Sequence, residues 1–490
     1  MSTATQGGSA AALAVEQNGI NVIHESERKG IPRDLFWPWA AANISVFGIA
    51  YGAFLLYFGV SFWQAIVVGV IGIGVSFFFV GVIALAGKRG SAPTLVLSRA
   101  IFGVDGNRVP SILSWVLTVG WETVLVSLAV LATSTVFGAL GFDAGIVTQV
   151  VALVVVGALV IAAGVMGFDL IMRLQKWITI ATGVLTIVYV VLVLPQIDFG
   201  AVLALPGAEV GAVIGGLVFM LTGFGLGWVN AAADYSRYLP RSASSRGVVA
   251  WTTVGASWAP ALLLLVGLLL AGSSTTTLDA IGADPVGALS TILPTWFLIP
   301  FAIVAVLGFV GGAVLDIYSS GLSLLAAGLK LPRAAAVGID GALMVVGTIF
   351  VVFIAQDFFG PFQGFLITLG VPIAAWAGMF IADIIVRKQP YADAELYDRG
   401  GRYGSVRWES IALLVVGTAI GWGFVSNAWA SEAFAWQGYF LGAVGGLDGP
   451  LGGANLGVLF SLVIGFAGYL LLGRAAVRRQ DALGATAPIA

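Results

Sequence analysis

Leu221-Thr222-Gly223-Phe224-Gly225-Leu226-Gly227-Trp228-Val229-Asn230 is apolar enough for a membrane helix but poorly built for an unbroken one. Three glycines stand at alternate positions, each costing a helix about 1 kcal/mol against alanine. A second interruption lies upstream, in Trp37-Pro38-Trp39-Ala40-Ala41-Ala42-Asn43-Ile44-Ser45-Val46-Phe47-Gly48. There, Asn43 and Ser45 sit in a segment otherwise suited to lipid. Interrupted spans at matching places in two halves are the best sequence sign of a transporter site. Glycines in membrane helices also serve close packing, and Gly215 and Gly216 read that way.

The composition around these segments agrees. Of 490 residues, 59% are hydrophobic and only 9% are charged. Soluble domains carry about 25% charged residues, so this chain cannot cover a water-facing surface. Apolar runs of about 20 residues recur, the length of a helical span. In lipid such runs must satisfy their own backbone and are therefore helical. The alternating strands of an outer-membrane barrel are missing. Twelve spans are predicted, numbered here in chain order: 36–58, 63–87, 110–139, 145–166, 171–194, 209–233, 248–271, 295–328, 334–354, 361–386, 407–428 and 453–474.

The interrupted spans are then 1 and 6, five apart, as two five-helix repeats require. The predicted fold is an all-α integral membrane protein on the LeuT-type plan. A repeat at 36–194 faces an inverted repeat at 209–386, and 407–474 adds spans 11 and 12. Tails of 1–35 and 475–490 flank them.

The basic residues test this layout, because they played no part in placing it. With the N-terminus inside, all 22 Lys and Arg fall in inner loops, in tails or at the inner ends of spans. Cytoplasmic loops carry the excess of Lys and Arg, and a miscounted span would reverse every later loop. Both termini are therefore expected in the cytoplasm, with the chain crossing the plasma (inner) membrane repeatedly.

Several function classes drop out. The chain has no cysteine, and its one histidine, His24, lies in the polar N-terminal tail. No disulfide framework is possible, and no metal site or cofactor is expected. Residues 1–33 lack a basic start and apolar core, so a cleaved signal peptide is not expected. The loops are too short for a nucleotide-binding domain. Gly223-Phe224-Gly225 follows no strand and is not a phosphate loop. Neither an ATP-binding subunit nor a nucleic-acid partner is expected. The partners are the bilayer and a small molecule, and the oligomeric state is not legible. Uphill transport would need an ion gradient. The alternatives are an intramembrane enzyme, for which no nucleophile–base set exists, and an uncoupled channel.

Glu122 in span 3 and Asp316 in span 8 are carboxylates within apolar segments. Each costs about 2.5–3.5 kcal/mol at the bilayer centre, and such residues usually face a cavity or a partner. No Lys or Arg lies deeper than the inner end of a span to pair with them. The neutral acid is the form a bilayer tolerates, which suits proton carriage; an acid that locks two helices is the plainer reading. Trp121 adjoins Glu122, and Trp228 follows the span 6 glycines. Most of the 15 tryptophans will be interfacial or packing residues, but these two lie away from span ends. Two indoles can hold a flat aromatic ligand by stacking. Thr118 lies one turn before Trp121 on the same face. Asn43, Asn230, Asp316 and Gln363 could read a ring's donors and acceptors, and Asn43 and Ser45 could also serve a cation. Asp234 and Asp383 read as structural, near Arg237 and Arg387.

At these residues the chain resembles the nucleobase:cation symporter-1 family, especially its purine–cytosine permease branch, over about residues 33–474. Gly227-Trp228-Val229-Asn230-Ala231-Ala232-Ala233-Asp234-Tyr235 is similar to a Gly-Trp-x-x-x-Ala-Ala-Asp-Tyr stretch of fungal-type members. Gly120-Trp121 resembles the Gly-Trp of family helix 3. Asp316-Ile317-Tyr318-Ser319 resembles an Asn-x-Tyr-Ser stretch of helix 8. Gly90-Ser91-Ala92-Pro93 through Arg99-Ala100-Ile101-Phe102-Gly103 resembles the family loop between helices 2 and 3.

The resemblance implies a LeuT-type symporter that imports a nucleobase, or a related heterocycle such as hydantoin, allantoin or uracil, with H+ or Na+. An amino-acid carrier of the same fold would show a glycine motif in span 1, where Asn43-Ile44-Ser45 stands instead. It implies that Trp121 and an aromatic of span 6 flank the base, Trp228 or, one turn away, Phe224. Asp316 would replace an asparagine that hydrogen-bonds it. Sodium-coupled members place adjacent hydroxyls in helix 8, where this chain has Gly311-Gly312-Ala313. Sodium favours oxygen ligands, so proton coupling through Asp316 or Glu122 is expected. Gly360, Pro361 and Gly364 would be hinges for closure of span 10.

Overall fold

Span 1 breaks where its polar residues predict. In the computed structural model a helix runs over Phe36–Asn43 and another over Phe47–Leu56. They meet at 64° across Ile44, Ser45 and Val46. Span 6 breaks as well. Its helix Val210–Gly223 gives way to two short 3-10 turns, Gly225–Gly227 and Val229–Ala231, before Ala232–Ser236 resumes. The structure describes residues 16, 18–354, 359–427 and 434–485. The predicted tails at 1–15, 17 and 486–490 lie outside these residues.

The helices follow the predicted spans within a few residues at most boundaries. Span 2 is Phe62–Arg89, and Ser61 and Gln64 cap its start reciprocally. Span 3 is Arg108–Ala139, span 4 Ile146–Met166 and span 5 Phe168–Val193. Span 7 is Ser245–Gly272, span 8 Leu298–Ala326, span 9 Arg333–Phe353 and span 10 Phe359–Val386. Spans 11 and 12 are Trp408–Gly423 and Leu456–Leu472.

The count of twelve is not reached by length and composition. Among the described residues nine helices are long and apolar enough to cross a membrane, or eleven if each bent pair is one span. The shortfall is span 11. It stops at Gly423 rather than near 428, so 16 residues reach roughly 24 Å of the ~30 Å core.

Burial separates the spans. In span 10, 83% of the most apolar stretch is buried, against 28% in span 5. Val147, Val154, Ile187 and Val346 of spans 4, 5 and 9 stand exposed, the surface that meets lipid.

Spans 1, 2, 6 and 7 approach one another through bare backbone, as do spans 10, 11 and 12 at Gly378, Gly457 and Gly465. A Cβ at Gly52 of span 1 or Gly267 of span 7 would strike the other span's main chain. Gly225 of span 6 meets the backbone of Ser76 in span 2 in the same way. Gly87 of span 2 lies against Ala233 and Arg237, and Gly81 against Val249 of span 7.

The basic loops gather on one face, where arginines cap the free carbonyls of helix ends. Arg28 donates to Gly90 and Leu239, Arg241 to Arg89, Arg333 to Gly164 and Arg407 to Ala100. Glu16 reaches into this face and accepts from Arg237, Tyr238, Tyr318 and the Phe168 amide.

Candidate substrate and ion site

The breaks in spans 1 and 6 bring four spans to one buried centre. Gly225 allows span 6 to lie on span 2, where its amide donates to Ser76 Oγ at 3.0 Å. Gly227 then lies against Trp121 of span 3, whose Nε1 is 2.9 Å from where a Cβ would be. The Trp121 indole packs edge-on to Phe362 and Phe365 of span 10, at 5.6 and 6.0 Å. Next in the chain after Gly227, Trp228 is half-buried and stands edge-on to Trp39 of span 1, at 5.7 Å. Among the described residues no ring contact joins Trp121 to Trp228.

Phe224 goes elsewhere. Its ring lies 4.4 Å from Tyr51, with Phe77 beyond at 6.3 Å, inside a packed aromatic cluster. Trp228 is thus the less enclosed of the two span 6 aromatics.

Polar atoms left without partners stand on four of the spans that bear on this centre, 3, 6, 8 and 10. Trp121 Nε1, both oxygens of Asp316 and of Glu122, Gln363 Oε1 and Asn230 Oδ1 are buried and make no hydrogen bond within the protein. Folded proteins pair most such atoms, and an orphaned one costs about 1–3 kcal/mol. Span 8 presents Asp316 one turn beyond Gly312, which packs on Leu125 of span 3. Leu125 is itself one turn beyond Trp121, so the acid and the indole line neighbouring faces. Gln363 also lines a cavity of about 400 Å3 with Tyr57, Phe58, Ser426 and Asn455, on the face opposite the arginines.

The other predicted site residues are held more locally. Thr118 donates to the Ser114 and Trp115 carbonyls of its own helix. Asn43 donates to Trp39 O at 2.8 Å. Ser45 Oγ accepts from the Phe47 amide and closes the break. Asn230 donates to Ser114 Oγ, which bonds Ser323 of span 8. Gly360 and Pro361 form the first turn of span 10, a place proline tolerates. Gly364 follows within the helix, and Pro372 lies deeper. Asp383 forms the expected pair with Arg387, at 2.7 Å. Asp234 instead accepts from the Thr94 amide and hydroxyl at 2.8 and 2.7 Å. Arg237 has turned to Glu16 and Tyr318.

Where span 8 crosses the break of span 1, glycines face carbonyls. Gly311 lies opposite Ala41 O, and Gly308 opposite Ile44 O. Gln175 of span 5 enters the same place and donates to Gly311 O at 2.8 Å. No hydroxyl of span 8 faces span 1 here.

The sequence reading passes over Gln175 and Asp340. Gln175 carries no signal beyond being an amide in an apolar span. Asp340 carries the signal that singled out Glu122 and Asp316, an acid within span 9.

A family model described as "permease for cytosine/purines, uracil, thiamine, allantoin" matches residues 22–445. The chain belongs to this permease family. The chain is 23% identical to YxlA of Bacillus subtilis (strain 168), over 85% of its own length and 89% of that protein. It is 22% identical to the purine-cytosine permease FCY2 of Saccharomyces cerevisiae, over 93% of its length and 85% of FCY2. Among solved structures it is similar to Mhp1, a nucleobase-cation-symport-1 family transporter, in a closed conformation with bromovinylhydantoin bound. The TM-score is 0.69 at 18% identity, covering 96% of this chain and 99% of that one. A Na+-coupled sialic acid symporter aligns with a TM-score of 0.61 at 11% identity, over 96% of this chain and 94% of the other. The permease is thus a LeuT-fold membrane transporter, not an enzyme.

Proposed function

We propose that this permease imports a nucleobase, cytosine or a purine, with a cation, and that the cation is H+ rather than Na+. The observation that carries the reading is the set of orphaned polar atoms on spans 3, 6, 8 and 10, the Trp121 Nε1 among them. A flat heterocycle with both donors and acceptors is the ligand that satisfies such a set. Trp121 and Trp228 take its two faces, and Asp316 and Gln363 address its edge, with Asn43, Asn230 and Thr118 behind them. Phe224, held against Tyr51, is left as packing.

Two features support the proton. Span 8 offers no hydroxyl at the break of span 1, and Gln175 fills the space. Asp316 and Glu122 lie in the centre without a cationic partner. The carboxylate takes up a proton from outside as the base binds, and it gives that proton up as the base leaves inside, when one bundle rocks against the other. The arginine-rich face is cytoplasmic by the positive-inside rule, which puts both termini inside the plasma membrane. The Gln363 cavity then opens outward, and Gly360, Pro361 and Gly364 allow span 10 to close over it.

Labelled cytosine uptake in cells lacking their own base carriers tests this. Adenine, guanine, hypoxanthine, uracil, hydantoin and allantoin would compete, with and without a protonophore. Protonophore-sensitive uptake blocked by a subset of these is expected. Uptake that follows Na+ and ignores the protonophore overturns the proton, and no uptake or binding of any of them overturns the substrate class.

A further inference from the structure

Asp340 of span 9 is fully buried within the bundle. It accepts from Trp115 Nε1 of span 3 at 2.6 Å and from Ser320 Oγ of span 8 at 2.9 Å. Both donors are neutral, so neither offsets a negative charge. Ser320 lies one turn from Asp316 on span 8. It also lies within reach of the Glu122 side chain of span 3, whose two oxygens make no well-formed hydrogen bond.

The charged surroundings are sparse. The ionisable groups that face Glu122 are Asp340 and Asp316, both acids. Span 4, packed on span 9 at Gly341, brings no titratable side chain. Tyr318 of span 8 is turned to Arg237 and Glu16. Arg333, at the start of span 9, is held by the Gly164 carbonyl, and Arg108, at the start of span 3, by Asp105. Buried acids that face one another with no cation beside them resist carrying a charge together.

A polar trail leaves this pair towards the arginine-rich face. Ser323, three residues beyond Ser320, shares a 2.9 Å hydrogen bond with Ser114 of span 3. Leu325 and Ala326, two and three residues further on, line a cavity of about 480 Å3 that Arg108 also borders. The side-chain oxygens of Ser320, Asp340, Ser114 and Ser323 thus lie on the way from Glu122 at mid-span to that cavity.

We propose that Glu122 and Asp340, linked through Ser320, share one proton and form the coupling proton's route to the cytoplasm, beside the base and not through its chamber. The inference rests on the proton-symport reading above. In the step, Glu122 turns to Ser320 and gives its proton to the hydroxyl oxygen. Ser320 passes its own proton to the ionised Asp340. One O–H bond breaks and one forms at each stage, and the negative charge moves from Asp340 to Glu122. Asp340 then releases the proton past Ser323 and Ser114 to the cavity. Trp115 positions the Asp340 carboxylate to receive it.

The test uses the full-length protein in liposomes holding a pH-sensitive dye, with radiolabelled cytosine. Wild type is expected to move H+ with base and also to exchange base across the membrane without a gradient. Asp340→Asn is expected to keep exchange while its H+ flux per base falls by about tenfold or more. Its uptake should also lose the wild-type pH profile, and Asp340→Glu should restore both. Asp340→Asn with an unchanged H+ to base ratio and pH profile overturns the route alone. Loss of exchange in both variants makes Asp340 a packing acceptor and also overturns it. Wild type that exchanges base without H+ flux removes proton coupling, and wild type that exchanges no base removes the transport reading itself.

Discussion

Replacing Trp121 by alanine removes one wall of the proposed base chamber. The indole is 9% exposed and fixed by Phe362, Phe365 and Gly227, so it is ordered before a ligand arrives. Stacking of a base on an aromatic is worth about 1–3 kcal/mol by alanine substitution. A middle value of about 2 kcal/mol corresponds to roughly 30-fold in affinity, at about 1.4 kcal/mol per tenfold. Trp228→Ala should cost a similar factor on the other face. Trp121→Phe keeps a ring but loses the unpaired Nε1 donor, a further hydrogen bond of about 1 kcal/mol. The assay is equilibrium binding of labelled base to purified protein. Because Trp→Ala in a core can cost about 3–5 kcal/mol of stability, the thermal midpoint of each variant is measured alongside. Folded Trp121→Ala and Trp228→Ala proteins that both bind with wild-type affinity would refute the sandwich.

Three further outcomes follow from the packing. Gly225→Ala places a methyl on the backbone of Ser76, which has no side-chain freedom to retreat, so a lowered melting temperature is expected in a thermal-shift assay. A wild-type melting point would show that the contact yields. Asp383→Asn removes the 2.7 Å ion pair of buried Arg387 and leaves it only Asp481 at 3.7 Å and the Gln480 oxygen, a loss of about 3 kcal/mol, read as reduced yield of folded protein in detergent. The Asp105 carboxyl is held below the usual carboxylate range, first by the Ser405 hydroxyl and then by Arg399 and Arg108. Its folded value is depressed, so the clasp it forms is complete above pH of about 4 and is lost as pH falls further. Hydrogen exchange of residues 398–406 should rise only in that acid range, and Asp105→Asn should remove the step.

The two broken spans were legible because breaks are written in residues that disfavour helix, Asn43 with Ser45 and the alternate glycines at 223, 225 and 227. Span ends were legible from charge and apolar length. Span 11 was not, because a stop at Gly423 depends on what the following residues pack against rather than on their hydropathy. The site was legible in part. An acid in an apolar run marks itself, whichever partner it finds, and that is how Glu122 and Asp316 emerged. Partners are a tertiary property. Nothing local says that Asp234 takes Thr94 from a loop 140 residues away, leaving Arg237 to Glu16. Nor does sequence separate Phe224 from Trp228, since both are aromatic and only packing against Tyr51 tells them apart.

The contacts at Gly52, Gly267, Gly225, Gly87 and Gly81 have a mechanical consequence. A seam of main chain against main chain holds no rotamers, so it cannot slide by small side-chain adjustments. Spans 1, 2, 6 and 7 are stitched by such seams into a single plank. Any rearrangement that keeps the fold must carry that plank whole. The play has to come from where long side chains mesh, as around Trp121, Leu125 and Phe362, and there the two faces can lose grip and re-engage at another angle.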